Sequence, residues 1–280
     1  MTIARIASFG IIASALALAA CGKPNTTKPA ASAASSAASA PAAASKVLDA
    51  INNKGTILVG TEGTYAPFSF HDKSGALTGY DVDVANEVAK RLGVKFEYKE
   101  TQWDAMFAGL NSGRFDVIAN QVGINPERQA KYAFSAPYSY SGAVVVVRAG
   151  DEAKVKQWSD LKDQRAAQSL TSNYGKLAKD NGAQIIAVDG LAQSAQLLKQ
   201  GRVDLTVNDE LAVLDYIKAN PDSNLKIVLH SDKKTGSGFT FLPEHAEAAK
   251  KFDAALKQMK DDGTLAKIGE KWFGADISKE

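Results

Sequence analysis

Residues 114–138, RFDVIANQVGINPERQAKYAFSAPY, run a short apolar segment into carboxamides and then into a lone arginine. Phe115, Val117, Ile118 and Ala119 read as a buried strand, which ends where Asn120 and Gln121 put hydrogen-bonding groups at its carboxyl end. Open α/β sheets collect ligands at that end. Asn125, Pro126 and Glu127 supply an N-cap, a first-turn proline and a first-turn acid, so Arg128 is predicted just inside a short helix beside the strand tip. A guanidinium there can hold a carboxylate through two parallel hydrogen bonds. The alternative is a solvated arginine on a helix face.

Working outward, strands and helices alternate from Thr56 onward, which predicts α/β layers with mainly parallel pairing. Residues 57–59 read as the first strand and 81–92 as an amphipathic helix stopped by Gly93. Thr101 and Asp104 have the spacing of a capping box for a helix through Leu110. Strands are expected at 144–147, 166–168, 185–188 and 205–207, with helices starting at Ser172, Leu191 and Asp209. Two more helices, about 245–262 and 264–273, close the chain. The segment 110–117, LNSGRFDV, returns at 198–205 as LKQGRVDL, and seven residues after each glycine the strand ends in Asn120-Gln121 or Asn208-Asp209. With the matching order of elements, this echo favours two similar lobes facing each other across a cleft. Residues 144–147 are expected to cross from the first lobe to the second, and 239–242, after a flexible 233–238, to cross back as a hinge.

A chain of 280 residues is long enough for two domains. Its 33 basic and 31 acidic side chains nearly cancel, and removing Arg5 with the first 20 residues leaves +1, which gives no support for nucleic acid as a partner. Arg5 followed by an apolar run to Leu18 reads as an export signal (1–20), too short to span a bilayer comfortably. A lone cysteine follows, Cys21, and no internal disulfide is possible. Residues 21–46, nearly all Ala, Ser, Pro, Thr and Lys, read as a disordered tether. Pro24, Pro29 and Pro41 argue against the competing poly-alanine helix.

The run 60–70, GTEGTYAPFSF, then LTGYDVD at 77–83, Trp103-Asp104, Asn125 to Arg128 and FSAPY at 134–138 together resemble the periplasmic amino-acid-binding proteins of ABC importers, over nearly all of 55–276. Residues 62–70, Asn120-Gln121-Val122 and EKWFGAD at 270–276 are most similar to the cystine-binding members. The resemblance implies the type II periplasmic-binding-protein fold, with lobe 1 from 47–142 and 236–280 and lobe 2 from 143–235. It implies a polar L-amino acid as ligand, L-cystine foremost, and an ABC permease as partner of a monomer. Leu18-Ala19-Ala20-Cys21 resembles a lipobox, so Cys21 is expected to carry a lipid anchor in the cell envelope. The other reading is an ordinary signal with an incidental cysteine.

Such a ligand needs both its charges met, since an unpaired buried charge is costly. Arg128 is the expected carboxylate clamp, with N–H groups near Gly123 and the side chains of Thr171 and Ser172 as further donors at a helix start. Asp209 matches the family's acid for the ammonium and equally reads as an N-cap. Tyr65 and Trp103 take the family's positions for the apolar wall, while Phe68 reads as core support behind it. Glu62, Asn120, Gln121, Gln168 and Asn173 surround the expected side-chain end, where one acid amid amides suits a second ammonium.

No metal, cofactor or catalytic group is expected: His71, His230 and His245 lack ligand spacing, and no nucleophile elbow appears. The competing functions are a dehydratase-like periplasmic enzyme on the same fold and a sensor without transport.

Overall fold

The computed structural model describes residues 46–280. The export signal, Cys21 and the tether through Ser45 lie outside them. Lys46, counted with the tether on composition, instead opens the helix Lys46–Asn52, and its ammonium reaches Asp116 at 2.7 Å.

Two five-stranded sheets carry the fold. In the first, the order is Lys95–Glu100, Thr56–Thr61, Val117–Ile118, Thr240–Phe241, Ala133–Phe134. In the second, it is Gln184–Ala187, Arg165–Gln168, Leu205–Asp209, Ala143–Arg148, Leu225–His230. Each sheet pairs its first three strands in parallel, and its fourth runs antiparallel to both neighbours. The reversed strand is in each case the one the chain enters on leaving the other sheet.

The echo in sequence is an echo in atoms. Gly113 and Gly201 both sit at φ 72°, the left-handed turn that closes a helix at little cost only for glycine. Three residues after it, Asp116 accepts the Leu58 N–H at 2.9 Å and donates its own N–H to the Leu58 carbonyl at 2.8 Å. Asp204 makes the same pair of bonds with Arg165, one in-sheet neighbour over, also at 2.9 and 2.8 Å.

The connection between the lobes differs from expectation. Ser139–Ser141 and Thr235–Ser237 form a two-stranded antiparallel ribbon, and this is where the chain passes across and back. Val144, Val145, Val146 and Val147 are all buried, and four consecutive apolar side chains belong to an inner strand covered on both faces, not to a crossing. The supposedly flexible 233–238 contains the return strand. There a Cβ on Gly236 would meet Pro137 Cβ at 2.9 Å, so glycine serves close packing. Strands Lys95–Glu100 and Leu225–His230 were not foreseen. The first, KFEYKE, alternates charged and aromatic residues as a half-exposed edge strand, a pattern that a search for apolar runs passes over.

Helix Tyr80–Leu92 ends at Gly93 in the left-handed conformation, and Ser172 and Asp209 cap the helices that follow them. The capping box at Thr101 does not form: helix Trp103–Asn111 follows Gln102, with no side-chain cap. The helices Ala246–Asp261 and Thr264–Phe273 pack on the first lobe, where Phe252 stacks on Phe96 at 5.8 Å between centroids and Trp272 Nε1 donates to Asp83 at 2.7 Å.

Candidate functional site

The carboxyl ends of the two central strands, Asn120 and Asn208, face one small cavity of about 50 Å³. Glu62, Tyr65, Trp103, Asn120 and Gln121 line it from the first lobe, and Gln168, Ser172, Tyr174 and Asn208 from the second. Gly123, Arg128, Thr171 and Asp209 do not. Arg128 and Thr171 open instead on an adjoining hollow, which shares Ser169, Ser172 and Asn173 with the first.

Arg128 is buried, 8% exposed, in the first turn of Pro126–Gln129, whose backbone is fixed by the Asn125 side chain accepting the Arg128 N–H at 2.9 Å. Its guanidinium lies 5.3 Å from the ring centres of both Trp103 and Phe107, which confine it by cation–π contact. Nη1 donates to the Gly123 carbonyl at 3.0 Å, and among the described residues no carboxylate lies within ion-pair distance. Burial lowers its pKa to about 10, so an anion supplied from outside would relieve a real cost. Gly123 keeps that side open. It bridges Ser237 through the bonds of its neighbours Val122 and Ile124, so its own N–H and C=O point away from Ser237 and toward Arg128. A Cβ there would stand 3.1 Å from Thr235 Cγ2 and 3.7 Å from Arg128 Nη1.

The opposite end is acidic. Asn120 donates to Glu62 at 2.5 Å and accepts from the Glu62 N–H, Thr61 and Ser69, which pins both side chains. Burial raises Glu62 to about 7, against the lowering effect of Asn120. Gln121, at φ +48°, is held in this uncommon conformation by Asp81, which accepts its N–H at 2.8 Å and its Nε2 at 2.6 Å, while Ser139 of the hinge ribbon donates to its Oε1. Gln121 is thus a structural wall, its amide already engaged. Asp81 is pushed up to about 7, chiefly by burial.

Asp209 caps helix Glu210–Ala219 through Oδ1, taking the N–H groups of Leu211 and Ala212, and accepts the Tyr174 hydroxyl on Oδ2 at 3.0 Å. Burial raises it to about 6. Of its two readings, capping is the one in these contacts, and Tyr174 stands between it and the cavity. Thr171, expected to receive a carboxylate, has its N–H and hydroxyl on Asp104. Ser172, expected as a donor to the same carboxylate, lines the cavity and caps its helix, accepting from Gly175 N while its hydroxyl donates to the Ser169 carbonyl at 3.1 Å. Gln168 is buried with Nε2 toward Thr206. Tyr65 donates to Asn208 at 2.9 Å across the cleft, and Phe68 is fully buried behind it at 5.4 Å.

The family profile of the bacterial extracellular solute-binding proteins, family 3, matches residues 57–275. This chain is a family 3 solute-binding protein. It is 49% identical over 270 residues to the L-cystine-binding protein TcyA of Bacillus subtilis, covering 96% of this chain and 97% of that one. The L-cystine solute receptor of Neisseria gonorrhoeae, in its unliganded open conformation, is 57% identical, with a TM-score of 0.57 over 84% of this chain and 99% of that one. An ancestral arginine-binding protein bound to arginine is 39% identical, with a TM-score of 0.74 over 79% of this chain and 99% of that one.

For this solute-binding protein the fit runs opposite to identity: the more distant, ligand-bound chain superposes better than the nearer, open one. The bonds Tyr65–Asn208 and Asp104–Thr171 hold the two lobes together across the cleft, which is what a better fit to a ligand-bound relative requires.

Several contributors escaped the sequence reading, Phe107, Tyr174 and Asn208 among them. Phe107 is one helical turn from Trp103 and reads as core, and Tyr174 sits inside a helix. Asn208 was within reach, because the echo pairs it with Asn120.

Proposed function

We propose that this protein captures a polar L-amino acid, L-cystine foremost, between its lobes and delivers it to an ABC importer from a lipid-anchored position in the cell envelope. The observation that carries the reading is the buried Arg128 guanidinium, with no carboxylate at ion-pair distance among the described residues, against Trp103, whose backbone N–H bonds Glu62. That is the charge pattern of an α-amino acid's complement. The names of the Bacillus and Neisseria relatives, both cystine binders, support the ligand, and Glu62 supports it chemically. A cystine with one end at Arg128 presents its second ammonium farther along the cleft, and its sulfur atoms suit the faces of Trp103 and Tyr65. Asp209 orients Tyr174 and contributes negative potential behind it. The anchor rests on Leu18-Ala19-Ala20-Cys21, and an acyl mass on Cys21 checks it.

A thermal-shift panel of amino acids tests the ligand, since a specific ligand at a hundredfold excess over Kd adds roughly 2.7 kcal/mol. L-cystine is expected to give the largest shift; a shift with glutamine, histidine or arginine and none with cystine sinks the cystine assignment. The pH profile adds a sign. The unliganded Glu62 carboxyl ionises through about 7, and an ammonium binds only the ionised form well, so cystine affinity is expected to rise between pH 5 and 8 and to flatten in Glu62→Gln. In the free protein the raised pKa acts the other way: stability from this group falls as pH climbs from the ordinary glutamate value of 4.5 to about 7.

A further inference from the structure

Asp104 stands in the first turn of helix Trp103–Asn111, beside a cavity aromatic, yet it neither lines the cavity nor caps its helix. Its carboxylate reaches across the cleft. Oδ2 accepts the Leu170 N–H at 3.0 Å, and Oδ1 accepts the Thr171 N–H at 2.9 Å and the Thr171 hydroxyl at 2.8 Å. Among the described residues no cation lies within ion-pair distance of it. The three donors belong to the second-lobe loop that leads into Ser172, which lines the cavity.

We infer that Asp104 is the positioning residue that holds the cleft shut, fixing how long the ligand stays without touching it. This rests on the reading that the cleft traps an amino acid. With the lobes apart, the carboxylate and the loop N–H groups are hydrated. With the lobes together, one charge collects three donors, an interaction that exists only in the closed state and so shifts the equilibrium toward it. Stabilising a closed, loaded state lowers the rate of release and leaves encounter with the open state unchanged. The second bridge, Tyr65 to Asn208, cannot report this separately, because both residues line the cavity.

Stopped-flow release of L-cystine from the full chain tests the assignment with Asp104→Ala, Thr171→Val and the double variant. Asp104→Ala should release roughly tenfold faster and Thr171→Val about two- to fivefold faster, the sizes expected for losing three or one charge-assisted hydrogen bonds at an exposed site. For Asp104→Ala, association rates, the ranking of amino acids and the melting temperature without ligand should stay as in the wild type, and the double variant should release no faster than Asp104→Ala, since both changes remove one bridge. An unchanged release rate overturns the proposal, as does an altered ranking, which would mean direct ligand contact. So does a matching fall in ligand-free melting temperature, which would mean a purely structural role. If the wild type binds another amino acid and not L-cystine, the cystine reading falls and the same rates decide the bridge with that amino acid. If no amino acid binds, both fall.

Discussion

The two lobes share a frame and differ at its tips. Residues 110–117 and 198–205 fold alike, down to the paired bonds of Asp116 with Leu58 and Asp204 with Arg165, and each leads to an asparagine at the cleft. Past that asparagine they diverge. In the first lobe the chain passes through Gln121 in the left-handed conformation and travels on to Arg128. In the second it turns at once into a helix capped by Asp209. The first lobe thus brings the cation and the aromatic faces, and the second brings hydroxyls and amides over a buried acid. A duplicated frame supplies the geometry of two facing strand tips, and unlike residues at the tips give the two sides of the cleft different chemistry.

The largest break in this comparison should come from Arg128→Ala. Removing one partner of a buried charge pair costs roughly 3–5 kcal/mol, two to four decades in affinity by calorimetry. Arg128→Lys should recover little, because an ammonium cannot reproduce the planar fork between Trp103 and Phe107. Near-normal binding by the alanine variant would take Arg128 out of the site.

Asp209→Asn probes the opposite tip with a smaller effect. Asparagine caps as well as aspartate, so the unfolding midpoint should hardly move, while the lost charge should weaken amino-acid binding by roughly 1.5–3 kcal/mol. If binding is unaffected and only stability changes, the acid serves the helix alone.

The smallest effect separates the frames themselves. Asp116→Ala and Asp204→Ala each remove an acceptor from an equivalent backbone N–H, worth about 1–3 kcal/mol where the group is buried, and urea midpoints should fall in both. Each also takes a cation, the Lys46 ammonium or the Arg165 guanidinium, so Asp116 should cost more because it is only 6% exposed, whereas Asp204 is half-buried. Equal losses would show that burial does not distinguish the two copies.

Much of this architecture is written locally. Period and punctuation are properties of neighbouring residues, so the helices after Ser172, Leu191 and Asp209, the stop at Gly93 and the strand before Asn120 are legible in the chain, as is the doubled segment that implies two lobes. Arg128 is legible because the cap Asn125 and Pro126 fix its place on the helix. The tertiary structure alone decided what each polar group faces. Asp104 has the spacing of a local cap and bonds to the other lobe; Thr171 has the chemistry of a ligand donor and its donors go to Asp104; Gln121 has the amide of a binding residue and is held by Asp81 and Ser139. The physical reason is range. Helix and strand signals act over one turn or one pleat, whereas a hydrogen bond is assigned by whichever partner arrives within about 3 Å after folding, here from residues dozens of positions away.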